Sequence, residues 1–188
     1  MKKLLCLLLS ICMVFSLTGC SSVNGTTKAL FKGIKKCDEK ILDKLYFGDP
    51  QDSVIHDFID IIEECESLDY IGDIISEYIM DFEYKVVDKD VDGDYATVKV
   101  KITTENWAVI VPNLALLVPT KMVTMTLDGK SEKQIEKELK KLVKEQRKKT
   151  DDVDYLVELN LIKVDGEWKV DLSECCDELV EAISGGLY

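Results

Sequence analysis

Histidine is almost absent: His56 stands alone among 188 residues. One imidazole with scattered carboxylates does not make a metal site, which takes several ligands in fixed geometry. Proline and glycine are also scarce, at three and ten, while 46% of residues are hydrophobic. That balance argues for a chain that is globular throughout rather than disordered. Positive charge is in short supply as well. Lys and Arg number 24 against 36 Asp and Glu, for a formal charge of −12. A strongly acidic chain repels phosphate backbones, which disfavours nucleic acid as a partner and broad electrostatic adhesion to anionic lipid. No internal repeat occurs, and no pair of cysteines has the CxxC spacing of redox or zinc motifs.

What is there begins with the N-terminus. Lys2 and Lys3 precede an apolar run from Leu4 to Leu17. The run suits a secretory signal and is short of the roughly 20 residues of a membrane span. It ends in Leu17-Thr18-Gly19-Cys20, which resembles the lipobox of bacterial lipoproteins. The resemblance implies cleavage between Gly19 and Cys20 and a diacylglycerol group on the Cys20 thiol. Two acyl chains hold a protein to a bilayer stably, at about 0.8 kcal/mol per buried CH₂. The expected organisation is a signal peptide over 1–19, a lipidated cysteine and tether over 20–27, and a single α+β domain over 28–188. The expected location is the extracytoplasmic face of the cell membrane, with the covalent lipid as the membrane contact.

Apolar spacings of three and four predict a helix from Thr27 to Tyr46, through Leu30, Ile34, Cys37, Ile41 and Leu45. Asp49-Pro50 then reads as the cap and first residue of a second helix reaching about Glu66. A third helix carries Ile71, Ile74, Ile75, Tyr78 and Ile79. The period then changes to two. Strands are predicted over Glu83–Val91 and Tyr95–Glu105, joined by Asp92-Gly93-Asp94, and over Val153–Val164 and Trp168–Leu172, joined by Asp165-Gly166. Ser131 and Gln134 form a capping box for a helix reaching Lys149, and Asp171 with Glu174 forms another for a last helix ending at Gly185-Gly186. The nearly uncharged stretch from Trp107 to Leu127, with Pro112 and Pro119, has no period that separates helix from strand.

This order of elements, with "KVDGEWKVD" in the second hairpin and "AISGG" at the end, is similar to lipoproteins of Gram-positive bacteria. Those proteins carry a nuclear-transport-factor-2-like, or cystatin-like, domain of unknown function. The resemblance implies helices packed on a strongly curved antiparallel sheet, often around a conical pocket, with a helical insertion over Trp107 to Met125. It brings no catalytic residue. If a pocket exists, its mouth is expected where the 107–127 segment meets the sheet, with Trp107, Leu114, Leu117 and Met122 lining an apolar ligand site. The competing expectation is that the segment plugs the sheet's concave face.

Candidate chemistry is thin. Asp88, Asp90, Asp92 and Gly93 imitate a calcium loop, but Lys99 stands where a bidentate Glu is required. Alternating carboxylates on the wet face of a hairpin explain them as well. His56 is expected to pair with Asp52 or Asp60, one helical turn away on either side. Cys37, Cys65, Cys175 and Cys176 remain after signal removal and lipidation; they allow three full disulfide pairings, while Cys37 and Cys65 on apolar faces also fit buried thiols. Lys140, Lys141, Lys144, Arg147, Lys148 and Lys149 complement a helix C-terminus. The strand faces expected to point inward carry Val98, Val100, Ile102, Val157, Leu159, Trp168 and Val170, with no convergent acid, base and oxyanion donor. The expectation is therefore a non-enzymatic binding or scaffold domain without cofactor or metal, whose partner is an envelope protein or a small apolar ligand. A cavity-based enzyme of the same fold is the alternative.

Overall fold

The computed structural model describes residues 22–49, 53–67, 70–171 and 176–188. Along the chain run α1 (Val23–Lys35), α2 (Glu39–Leu45), β1 (Tyr46–Phe47), α3 (Val54–Ser67), α4 (Tyr70–Ile79), β2 (Glu83–Asp92) and β3 (Tyr95–Glu105). They are followed by α5 (Trp107–Leu127), α6 (Glu132–Arg147), β4 (Asp152–Val164), β5 (Glu167–Asp171) and α7 (Cys176–Ile183). The fold is α+β, as expected: helices lie against one face of an open, curved sheet in the order β1-β5-β4-β3-β2. All pairs are antiparallel except the two-residue β1, which lies parallel to β5.

The alternation in β3 decides which face is covered. Ala96, Val98, Val100 and Ile102 are buried, against Val157, Leu159 and Leu161 of β4. The intervening residues form cross-strand pairs on the open face: Lys101 Nζ to Asp154 at 2.9 Å and Lys99 Nζ to Glu158 at 3.6 Å. Both turns are as predicted. Asp165 and Gly166 have φ of 52° and 84°, the two positive angles of a type I′ connection. The register of β2 skips Val87, and this bulge bends the exposed edge strand.

The N-terminal helix differs from its expected extent in two ways. It starts earlier, at Val23, where Ser22 Oγ accepts from Gly25 N at 3.1 Å. Residues 23–27, expected in the tether, are therefore helical. Thr26 and Thr27 are buried because their hydroxyls donate to Trp168 O and Val23 O, at 3.2 and 2.9 Å. The helix also breaks at Cys37, whose φ is 49°. Asp38 N donates to Gly33 O, and Asp38 Oδ1 accepts from Ile41 N to start α2. The break folds α2 back so that Leu42 rests on Gly33, where a Cβ would stand 2.7 Å from Leu42 Cδ2. One straight helix would carry Leu42 and Leu45 past the core. Cys37, expected inside the core, is half-buried at this turn.

Helix α3 begins at Val54, later than Asp49-Pro50 suggested. Ser53 O accepts from His56 N and Ser53 Oγ accepts from Ile55 N. Pro50, Asp52, Glu174, Cys175 and the signal and lipobox residues through Ser21 lie outside the described residues.

The C-terminal turn closes the fold on the exit of β3. Gly185 has φ of 60°, and a Cβ there would stand 2.1 Å from Glu105 O and 3.0 Å from Trp107 Cδ1. Ala108 N donates to Gly185 O at 3.1 Å. Replacing Gly185 with Ala is thus expected to lower stability by at least about 2 kcal/mol, since a left-handed backbone and a backbone collision coincide. Urea denaturation checks this, with Gly93→Ala, whose φ is also 60° and whose Cβ would meet nothing, as the comparison for backbone strain alone.

Candidate functional site

Among the described residues, the inward side chains of the sheet's covered face are packed against helices rather than open to a conical pocket. Val98, Val100, Ile102, Val157, Leu159, Trp168 and Val170 are all buried. Helix side chains fill the space above them, among them Leu30, Phe31, Ile34, Leu179, Val180 and Ile183. Phe31 stacks on Tyr84 with ring centroids 4.1 Å apart.

The segment 107–127 is one helix, with both prolines exposed on its outer side. It does not bring Trp107, Leu114, Leu117 and Met122 together. Trp107 and Leu114 are buried, Met122 is half-buried, and Leu117 is exposed. The helical period of about 100° per residue explains the split. It puts residue 114 close to the azimuth of 107, and 117 and 122 on opposite flanks. Nor does the helix plug the concave face, since just 17% of its most apolar window is buried.

An apolar groove lies elsewhere, between α3, α4, the first turns of α5 and the C-terminal tail. Its volume is about 360 Å³, and Phe58, Ile61, Ile62, Ile71, Ile75, Ile79, Val111, Leu187 and Tyr188 line it together with Gly72 and Ser184. Its lining holds no charged side chain. The sequence signal for it was the doubling of isoleucine at 61–62 and 74–75, which makes each apolar arc wider than one core contact can cover. The other contributor, Leu187-Tyr188, follows the helix-ending glycines and has no period to read.

A larger, open and polar cleft of about 740 Å³ lies at the end of α1, lined by Lys35, Lys36, Cys37, Glu63, Ser76, Glu77, Tyr78, Met80 and Asp81. Three of its side chains are engaged in structure. Ser76 Oγ donates to Ile62 O, Lys35 stands over the Phe82 ring, and Tyr78 is covered by the Arg147 guanidinium 3.7 Å from its centroid. Arg147 also ion-pairs with Glu105, its Nε donating to Oε2 at 2.7 Å. Burial works against the Arg147 charge, and the hydrogen bond and charge of Glu105 outweigh it, so its pKa lies above the ordinary value. This pair ties α6 to the end of β3 and to α4, the task of a strut rather than of an acid–base couple.

Among the described residues His56 pairs with Asp43 rather than with Asp60 of helix α3, and Asp52 lies outside them. Its Nε2 lies 3.0 Å from Asp43 Oδ1, on α2, and its ring meets Tyr46 edge-on. Asp88, Asp90 and Asp92 lie on strand β2 rather than in a loop, and Asp88 Oδ1 accepts from Lys89 N. Among the described residues, no group of three or more His, Cys, Asp or Glu is placed to hold a metal ion.

No family model and no curated protein matches the chain. Among solved structures, it is similar to a chain of Bacillus subtilis described as a "putative lipoprotein" (ycdA), at 15% identity and a TM-score of 0.48. The similarity covers 87% of this chain and 56% of that one, so this chain spans little more than half the length of that protein.

The open sheet face gives a titration test of this geometry. Hydrogen bonds from Lys101 and Thr103 hold the Asp154 carboxyl below its ordinary pKa. Its contribution to stability is complete above the ordinary carboxylate range and disappears as pH falls through the lowered folded value. Carboxyl NMR is expected to show Asp154 titrating below the ordinary aspartate range, and Lys101→Met to move it up.

Proposed function

We propose that this chain is a lipoprotein held at the extracytoplasmic face of the cell membrane through diacylglyceryl-Cys20. Its folded part is a non-enzymatic binding or scaffold domain of the nuclear-transport-factor-2-like kind. The observation that carries the reading is Leu17-Thr18-Gly19-Cys20 at the end of a charged and apolar leader. The start of α1 supports it, because Ser21 alone separates Cys20 from the capping Ser22. A folded domain that begins this close to the modified residue sits next to the bilayer surface.

The groove supports binding rather than catalysis. Hydroxyls of Ser184 and Tyr188 are the polar side-chain groups in its lining, and Ser184 Oγ already donates to Glu181 O. Its volume falls within the range of small-ligand sites, and its walls suit an apolar molecule or an apolar side chain of an envelope protein.

Intact-mass analysis of membrane-extracted protein is expected to find a lipid adduct on a chain starting at Cys20, and Cys20→Ala to abolish both adduct and cleavage. Unmodified protein with another N-terminus would refute the anchor. Native mass spectrometry of protein purified from its own envelope tests the groove separately. A co-purifying apolar molecule is expected, and Ile75→Asp is expected to lose it while circular dichroism stays unchanged.

A further inference from the structure

Helix α5 is apolar on nearly every side and little of it is covered. Lys121 is its sole charged residue. Length and composition suit a membrane span, but the topology rejects that use. Glu105, at the end of β3, pairs with Asp152, at the start of β4, so both ends of the α5–α6 excursion return to one sheet edge-on. A spanning α5 would force α6 back through hydrocarbon with ten charged residues among its sixteen.

The core side of α5 is marked by Trp107, Ile110, Leu114 and Met125. The opposite side presents Val109, Leu116, Val123 and Leu127, exposed by 45, 76, 61 and 82%. Val109, Leu116 and Val123 fall seven residues apart, the repeat that keeps one seam facing a partner helix. They are also symmetric about Leu116. Two antiparallel copies centred there set Leu116 on its twin and Val109 against Val123, the self-complementarity that a two-fold contact requires.

We propose that this stripe is the interface between two copies of the chain, with the α5 helices packed antiparallel about a two-fold axis at Leu116. Area supports a second copy. Covering the exposed stripe and Leu117 on both chains removes on the order of 1,000 Å² from water, the lower bound for a specific interface. The stripe itself brings no charge into the contact, since Lys121 is the sole charged residue of α5 and lies off the stripe. Placement disfavours the bilayer as the cover. Thr26 bonds Trp168 beside the hairpin turns, so α1 starts at the turn end of the sheet, whereas α5 leaves β3 at the other end.

Disulfide trapping in full-length protein within its own membranes tests the geometry. Leu116→Cys is expected to give a cross-linked dimer on mild oxidation beyond any formed by the wild type. Val109→Cys alone is expected to add none, and Val109→Cys with Val123→Cys to restore the product. In detergent, sedimentation velocity is expected to show a wild-type dimer whose dissociation constant rises at least 100-fold in Leu116→Glu, with unchanged circular dichroism. A wild type that stays monomeric at tens of micromolar overturns the proposal, as does trapping by Val109→Cys as efficient as by Leu116→Cys. Monomeric protein whose α5 is protected from hydrogen exchange by phosphatidylglycerol vesicles would assign the stripe to lipid instead and overturn it too.

Discussion

The contact of Gly185 with the end of β3 is the constraint on which the arrangement of the second half depends. No side chain fits between the C-terminal turn and Glu105 O, so the two backbones touch. That contact places α7 beneath β3 and β4 and puts the Ala108 amide on Gly185 O, which orients the first turn of α5. Trp107 is sealed under the same turn. The apolar groove forms between this junction and α3 and α4, since Val111, Ser184, Leu187 and Tyr188 all follow from it.

Helix α6 shows how unevenly the chain distributes its apolar surface. Its narrow stripe of Leu139, Leu142 and Val143 turns inward, its lysines face water, and Arg147 fixes its end to Glu105 and Tyr78. One amphipathic helix covers one side of a neighbour. Helix α5 is apolar round most of its circumference and so needs cover on more than one side. The domain supplies that cover at Trp107, Ile110, Leu114 and Met125 and leaves the remainder in water. The groove is the concave counterpart of this surplus, with Ile61 and Leu187 half-exposed at its rim.

Much of the fold was legible because its local signals agree with its tertiary outcome. Val98, Val100 and Ile102 alternate with Thr97, Lys99 and Lys101, and the sheet has one dry and one wet face to match. Asp165-Gly166 adopts the backbone that such a pair favours, and Ser131 N does bond Gln134 Oε1. The readings that failed depended on distant partners. A continuous apolar period through Cys37 gave no sign that Leu42 packs back on Gly33. Nothing near His56 in the chain indicated Asp43. Trp107, Leu114, Leu117 and Met122 share apolar character, and their azimuths follow only once the segment is a helix.

By itself the sequence determined the strands, their turns and the capping of α6. These rest on contacts within a few residues, where side-chain period, glycine backbone freedom and short polar groups act directly. Tertiary structure alone decided which apolar residues stay dry. Ile74 and Ile75 are adjacent isoleucines, yet one is core and the other lines a groove. Trp107 and Leu116 lie on one helix, yet one is sealed and the other stands in water. Burial is a property of what lies opposite a side chain, and what lies opposite comes from parts of the chain far away in sequence.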